Sequence, residues 1–124
     1  LDVGIVAGPL NDPDLTEHPL FYEELVVYTS PQCALFQKKY AVPDDIDPAQ
    51  LWLLEEGHCL RSQIENLGQL RRKAPAPVRE VSLVSRKHYA RQRVVATLTE
   101  EIKAVVPAKM AKPGRREVLE LTES

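Results

Sequence analysis

The sequence predicts a domain of the α/β class, in which strands and helices alternate along the chain. Apolar runs typical of buried strands occur at residues 1–6 and 78–84, and a stripe with helical spacing extends from Val94 to Val106. The 124 residues are 44% hydrophobic, enough for one domain or two small lobes. No apolar run reaches the roughly 18 residues that span a bilayer, and no secretion signal is visible, so we expect a cytoplasmic protein.

The first half of the chain is predicted to contain three strands and one short helix. The strands are expected at residues 1–6, 25–28 and 51–54, because each run is rich in apolar, strand-forming residues. A helix is expected over Cys33–Lys39, with Ser30 as its N-cap and Pro31 at its first position. Asn11–Asp14 has the composition of a turn, and 42–48 is predicted to be a surface loop in which Asp47 caps a helical turn.

The second half is predicted to contain two helices separated by a strand. Leu60, Ile64, Leu67 and Leu70 recur at helical spacing after Gly57, and the prolines of 74–77 end that pattern. A strand is expected over Val78–Val84. The next helix carries the apolar stripe of Val94, Val95, Leu98, Ile102, Val105 and Val106 and ends at Pro107. The tail from Ala108 is predicted to be frayed or loosely docked.

Charge is distributed unevenly along the chain. Residues 1–70 contain three basic and twelve acidic side chains, whereas residues 71–124 contain thirteen basic and six acidic ones. Six of the seven aromatic residues lie in the acidic half, so the basic half lacks a stacking platform for single-stranded nucleic acid. The two halves are therefore expected to lie against each other or to face different neighbours.

Cys59 is the strongest candidate for a reactive residue. It stands where a predicted buried strand turns into a helix, and the positive end of the helix dipole, together with His58 and Arg61, favours its thiolate. An accessible thiolate reacts with peroxide to give a sulfenic acid, which condenses with a second thiol. The residues alone also allow the alternative that Cys59 is an inert core thiol.

No other motif indicates a cofactor or a metal. Cys33 lacks a comparable charge environment and is predicted to be a packing or surface thiol. The two cysteines and three histidines do not have zinc-ligand spacing. A glycine-rich phosphate loop and a serine nucleophile elbow are also missing from the sequence. Neither a cofactor nor a metal is therefore expected.

Residues 51–63, Leu-Trp-Leu-Leu-Glu-Glu-Gly-His-Cys-Leu-Arg-Ser-Gln, resemble the segment around the peroxide-reactive cysteine of the OxyR group of LysR-type transcriptional regulators. The resemblance continues over 1–5, 20–28, 77–84 and the helix from Tyr89. It implies a two-lobed regulatory domain like the periplasmic binding proteins, incomplete in this chain. Residues 1–23 would end the first lobe, 24–73 would form the second lobe, and 74–124 would return to the first lobe and form the C-terminal helix.

The resemblance also implies residue roles and partners. Cys59 corresponds to the peroxide-reactive cysteine, and His58, Arg61, Gln63 and Arg79 correspond to its supporting pocket. The implied function is the sensing of hydrogen peroxide by thiol oxidation and disulfide formation, without enzymatic turnover. Such regulators act as dimers or tetramers that bind DNA through an N-terminal helix-turn-helix domain, which is absent here, and act on RNA polymerase.

Two departures from the group pattern affect these expectations. The resolving cysteine of the group stands nine residues after the reactive one, where this chain has Gly68. The reactive-cysteine helix and the returning strand are also joined almost directly. We therefore hypothesise that a segment between Leu67 and Pro75 is missing or deleted.

Two alternative functions remain open from the sequence. The domain could bind a small metabolite between its lobes, with Cys59 as a bystander. It could also be a thiol peroxidase, although the sequence contains no motif for docking a reductant. Ligand-dependent stability without Cys59 would support the first alternative, and multiple turnovers with added reductant would support the second.

Overall fold

A computed structural model of the chain describes residues 2–39, 41–53, 55, 60–61, 63–64, 77–116 and 118. Its regular elements are strands β1 (Val3–Gly8), β2 (Leu15–Glu24) and β3 (Val78–Arg86) and helix α1 (Gln92–Val105). Short 3-10 helices occur at Ala34–Gln37, Pro43–Asp45, Pro48–Gln50 and Ala108–Met110. No helix within these ranges is long and apolar enough to cross a membrane.

The three strands form one sheet in the order β1-β3-β2, and β3 is antiparallel to both neighbours. β3 therefore enters between two strands that precede it by more than fifty residues. The connection between β1 and β2 is the predicted turn, in which the Asp12 carboxylate accepts a 2.8 Å hydrogen bond from the Asp14 amide. The Glu17 carboxylate accepts hydrogen bonds from the amides of Leu10 and Asn11, which fixes the start of this turn.

The hydrophobic core lies between one face of the sheet and α1. Leu20, Leu83 and Val95 are buried at its centre, and Val3, Phe21, Tyr89 and Ile102 pack around them. Because alternate residues of a strand point to opposite faces, Leu83 belongs to this covered face, whereas Glu80 and Ser82 of β3 belong to the other.

The predictions for β1, β3 and α1 are confirmed, with shifts of one or two residues at most ends. The predicted stripe of α1 is only partly right. Val95 and Ile102 pack into the core, but Val94, Leu98 and Val105 are exposed, and buried Thr99 was not predicted. Thr99 is compatible with burial because its hydroxyl donates to the Val95 carbonyl at 2.9 Å.

The strand predicted at residues 25–28 is wrong. The strand in this part of the chain is β2, which ends at Glu24, opposite Val78. One further hydrogen bond joins the Leu25 amide to the Pro77 carbonyl. Beyond it the described residues offer no partner strand, and Tyr28 is 99% exposed.

The core strand predicted at 51–54 is also not observed in its described part. Residues 51–53 have no regular structure, and Trp52 is 97% exposed. Leu54 lies outside the described residues. The helix predicted over Cys33–Lys39 shortens to the 3-10 helix Ala34–Gln37, whose N-cap is Cys33 rather than Ser30. The helical turn after Asp47 is confirmed, and the Asp47 carboxylate accepts a 2.9 Å hydrogen bond from the Ala49 amide.

The tail is docked rather than loose over its described residues. The Arg116 guanidinium donates to the carbonyls of Lys109, Lys112 and Pro113 and pairs with the Glu24 carboxylate at the end of β2. Val118 makes a parallel bridge with Val78. Arg116 thus connects the segment after α1 to the sheet. Residues 119–124 lie outside the described part.

Candidate functional site

The predicted site residues fall into two groups. Arg61, Gln63 and Arg79 lie within the described residues, whereas Cys59 and His58 lie outside them. Gly68 and the whole segment 65–76 are also outside, so the hypothesis of a missing segment there stays a prediction. Leu60, Arg61, Gln63 and Ile64 are helical, in agreement with the predicted helix.

Gln63 is the residue of this group whose surroundings are most informative. Its side chain is fully buried, and its Nε2 donates to the Gly8 carbonyl at 3.4 Å, across 55 residues of sequence. Among the described residues, its Oε1 has no hydrogen-bond partner. A buried amide oxygen without a partner loses its hydration without compensation. Gln63 therefore attaches the helical segment to the end of β1 and leaves an acceptor open.

Arg79 lies on β3 directly opposite Glu23 of β2. Its Nε donates to Glu23 Oε2 at 3.1 Å, and a terminal nitrogen contacts the same oxygen. Both side chains are partly exposed, so this pair adds little to the free energy of unfolding. In the structure, Arg79 is therefore paired with a carboxylate from the neighbouring strand.

Gln63 and Arg79 are brought to the same end of the sheet. The Gly8 residue that Gln63 contacts stands opposite Glu80, which follows Arg79 on β3. Because neighbouring strand residues point to opposite faces, Arg79 and Glu80 diverge. The end of the sheet thus carries the arginine on one face and the glutamate on the other.

A polar row that the sequence did not predict crosses the three strands at this end. Gly8 and Tyr22 both stand opposite Glu80. Partial burial, then a hydrogen bond to the Glu80 carboxylate and its negative charge, raise the pKa of Tyr22 above its usual value of 10.0. The fully buried Ser82 donates to Glu80 Oε1 at 3.0 Å. Only the alternation of polar residues along β3 could have indicated this row, since its members lie far apart in sequence.

Cys33 is a half-buried free thiol at the start of the first 3-10 helix. Its pKa is lowered by a hydrogen bond with the Thr29 side chain and, to a smaller extent, by the Leu35 backbone amide. This thiol was predicted to be a packing or surface residue without a charged neighbourhood. The structure adds that two hydrogen bonds favour its thiolate.

Comparison with known sequences identifies the family. The profile of the LysR substrate binding domain matches residues 1–86, more than two thirds of the chain. The chain belongs to the LysR substrate-binding-domain family. The α/β fold class expected from the alternation of strands and helices is therefore confirmed, and so is the likeness to periplasmic binding proteins that the resemblance implied. Regulators of this family bind DNA and act as oligomers.

Individual relatives agree with this assignment. A protein of Streptomyces viridosporus named "Probable hydrogen peroxide-inducible genes activator" is 38% identical over 63 residues, which are 51% of this chain. The chain spans 20% of that protein's length. A crystal structure of an OxyR mutant from Porphyromonas gingivalis is 25% identical, with a TM-score of 0.78 over 90% of this chain and 72% of the other. The reduced OxyR of the same organism is 24% identical and shares the fold, with a TM-score of 0.83 over 95% of this chain and 76% of the other.

Proposed function

We propose that the chain is the regulatory domain of a LysR-type transcription factor that senses hydrogen peroxide through Cys59. Three findings support this proposal: membership of the LysR substrate-binding-domain family, a relative named as a peroxide-inducible genes activator, and a likeness to OxyR at 25% identity. The sequence Gly-His-Cys-Leu-Arg at 57–61 supplies the reactive thiol that this function needs.

The observation that best supports the proposal is the buried side-chain amide of Gln63. Among the described residues its Nε2 has a hydrogen-bond partner, but its Oε1 has none. Gln63 follows Cys59 by four residues, the spacing that places two side chains on the same face of a helix. Its Oε1 has no partner in the structure and can accept a hydrogen bond from a peroxide O–H. Its Nε2 holds the same helical segment against Gly8 of β1. Gln63 would thus orient peroxide while staying anchored to the sheet.

The proposed chemical step is a displacement at oxygen. The Cys59 thiolate attacks one oxygen of hydrogen peroxide, the O–O bond breaks, and the other oxygen leaves as hydroxide and takes up a proton to become water. The sulfur is oxidised to a sulfenic acid and the peroxide is reduced. In this proposal His58, Arg61 and Arg79 favour the thiolate and the leaving hydroxide by their positive charge or donors.

A disulfide then requires a second thiol. The sulfenic acid condenses with that thiol, forms a sulfur–sulfur bond and releases water. Gly68 stands at the resolving position of the OxyR group, and the chain contains one other cysteine, Cys33. The hydrogen bonds that lower the pKa of Cys33 favour its thiolate, so Cys33 is one candidate for the second thiol of the disulfide. The other candidate is a thiol from outside the chain.

The proposed response to oxidation is a conformational change of the domain. Oxidation would repack the segment that carries Cys59, which Gln63 connects to β1, and so bias the domain between two arrangements. In the division proposed here, residues 1–23 end a first lobe, 24–73 form the second, and 74–124 return to the first. The signal would pass through a homodimer or tetramer to a DNA-binding domain and to RNA polymerase in the cytoplasm. The domain would act once per oxidation, as a sensor rather than an enzyme.

The decisive test is the intact mass of the chain after treatment with a small excess of hydrogen peroxide. We expect the gain of one oxygen at Cys59, trapped with a sulfenic-acid reagent, and no such product in Cys59→Ser. Cys33→Ser is the matched control and should retain the sulfenic acid. If Cys59→Ser takes up oxygen as readily as the natural sequence, the proposal is wrong.

A small-metabolite effector is the second candidate function. The family is named for substrate binding, and the open Oε1 of Gln63 could equally accept a donor from such a ligand. A metabolite that raises the melting temperature of Cys59→Ser as much as that of the natural chain would favour this candidate. A peroxide-dependent change confined to chains with Cys59 would favour the first.

A further inference from the structure

Five exposed cationic or histidine side chains cluster where β3 passes into α1. They are Arg86, Lys87, His88, Arg91 and Arg93, which we call the basic corner, and all five are exposed. No acidic residue occurs between Glu80 and Glu100. The corner therefore concentrates four permanent positive charges on one turn and the first turn of one helix.

These side chains have no counter-ion of their own. Among the described residues, the ion pairs join Lys38 to Asp45, Arg79 to Glu23, Lys103 to Glu100 and Arg116 to Glu24. None involves the basic corner. The two segments of opposite charge are thus joined at Arg79 and Arg116, and neither of these two ion pairs involves the corner.

The basic residues of the corner are also electrostatically unfavourable at the N-terminus of α1, which they adjoin. The N-terminus of an α-helix carries partial positive charge, which favours acidic residues there and disfavours basic ones. α1 has no acidic residue in its first turn, its N-cap is Arg91, and no side chain caps it. An arrangement that is unfavourable for folding and has no ion-pair partner among the described residues indicates a partner outside the chain.

Two carboxylates, those of Asp2 and Asp14, adjoin the corner from the neighbouring strands, but among the described residues neither forms an ion pair with it. Asp2 precedes Val3, which stands opposite Ser85. The β1–β2 turn reaches the corner, where the Lys87 amide donates to the Asp14 carbonyl at 2.9 Å and Leu15 stands opposite Arg86. The Asp12 carboxylate is engaged by the Asp14 amide. The Asp14 side chain therefore marks one rim of the corner, and the α1 side remains free of acid until Glu100.

We propose that the basic corner docks on the phosphate backbone of duplex DNA. Guanidinium groups match phosphate oxygens in pairs, and three of the four permanent cations are arginines. The exposed start of α1 adds donors suited to an anion. Since regulators of this family bind DNA, the domain would add a contact that is independent of sequence.

The test measures binding of a short labelled duplex of arbitrary sequence by fluorescence anisotropy over a range of salt concentrations. Each phosphate contact contributes about 0.9 to the slope of log affinity against log salt. We expect a slope of about −3.6 if all four permanent cations make contacts. The change Arg91→Gln should reduce the steepness by about 0.9, and the combined change Arg86→Gln, Arg91→Gln and Arg93→Gln by about 2.7.

Arg115→Gln is the matched control, because Arg115 is an exposed arginine outside the corner. It should leave the salt slope unchanged. Circular dichroism of each variant checks that α1 remains folded. A slope that is the same for Arg91→Gln and Arg115→Gln, or no binding by the natural chain, would overturn the proposal. So would polyglutamate that displaces the duplex at equal charge concentration, since it would indicate an acidic protein partner. Peroxide oxidation of Cys59 should be the same in all these variants, so the two proposals fail separately.

Discussion

The two faces of the sheet are built on different principles. The middle of the face under α1 is apolar, with Leu83 buried against Val95 and Leu20, and Arg79 lies at the end of the same face. The opposite face carries Glu80, hydrogen-bonded to buried Ser82 and to Tyr22, and the Gly8 carbonyl at the same end of the sheet accepts from Gln63. Apolar burial is non-directional and mainly stabilises the fold, whereas a buried polar group needs a particular partner. The difference indicates that apolar packing stabilises the middle of the face under α1, whereas directional hydrogen bonds fix the end of the sheet near Glu80 and Gly8.

The largest expected effect is on the apolar face. Leu83→Ala removes the central core side chain, which is 1% exposed, and should lower the free energy of unfolding by about 2–5 kcal/mol. Ile5→Ala is the matched control, because Ile5 stands directly opposite Leu83 but is 61% exposed. It should lower this free energy by less than about 1 kcal/mol. Denaturant unfolding measures both, and equal losses would contradict the core described here.

Gln63→Leu tests the role of the hydrogen-bonding groups at the end of the sheet near Gly8. It removes a donor to Gly8 but also removes the unpaired Oε1, so the free energy of unfolding should change by less than about 1 kcal/mol. Oxidation of Cys59 by peroxide should nevertheless slow by tenfold or more, about 1.4 kcal/mol in activation free energy. Stopped-flow kinetics measures this rate. A Gln63→Leu variant that is severely destabilised, or that reacts at the natural rate, would remove the distinction between the two faces.

Tyr22 provides a pH-dependent test of the same row. Its pKa is raised in the folded chain, so its contribution to stability is complete below its usual value of 10.0 and is lost as the pH rises through the folded pKa. Absorbance of the phenolate should show that Tyr22 ionises above its usual value. Glu80→Gln removes the negative charge and should move this titration toward the usual value. An unchanged titration in Glu80→Gln would show that burial alone raises the pKa of Tyr22.

The smallest effect is expected for the ion pair between β2 and β3. Glu23→Gln should lower the free energy of unfolding by less than about 1 kcal/mol, because both partners are partly exposed. The loss should shrink further at high salt, since screening weakens exposed charge pairs. Urea unfolding at two salt concentrations measures it. A loss as large as that of Leu83→Ala would show that this end of the sheet is stabilised mainly by charge.

Local patterns predicted the elements whose residues follow one period. β1 and β3 were predicted as apolar runs, and α1 from its apolar spacing and the proline that ends it. β2 was missed because Glu17, His18 and Pro19 interrupt its pattern and the register shifts between Pro19 and Phe21. A proline and a register shift are tolerated here because β2 lies at the edge of the described sheet. The apolar run at 25–28 was therefore mistaken for the strand that β2 provides.

The candidate site shows the same limit. Residues 57–61 predict a reactive Cys59, because this short segment contains a thiol, a histidine and an arginine. Pairing between residues far apart in the chain could not be derived in this way. The contact of Gln63 with Gly8 spans 55 residues, the pair of Arg79 with Glu23 spans 56, and that of Arg116 with Glu24 spans 92. Such contacts follow from strand order, which local periodicity does not specify.

The sequence by itself determined the α/β class, three of the principal elements and the uneven charge, because these depend on the order of neighbouring residues. That Cys59 is reactive stays a prediction. Only the tertiary structure decided which face of α1 is buried, that β3 inserts between β1 and β2, and that the basic corner forms no ion pair within the described part of the chain. Burial and charge pairing depend on what the fold places nearby. The insertion of β3 aligns Gly8, Glu80 and Tyr22 in one row on the face opposite α1.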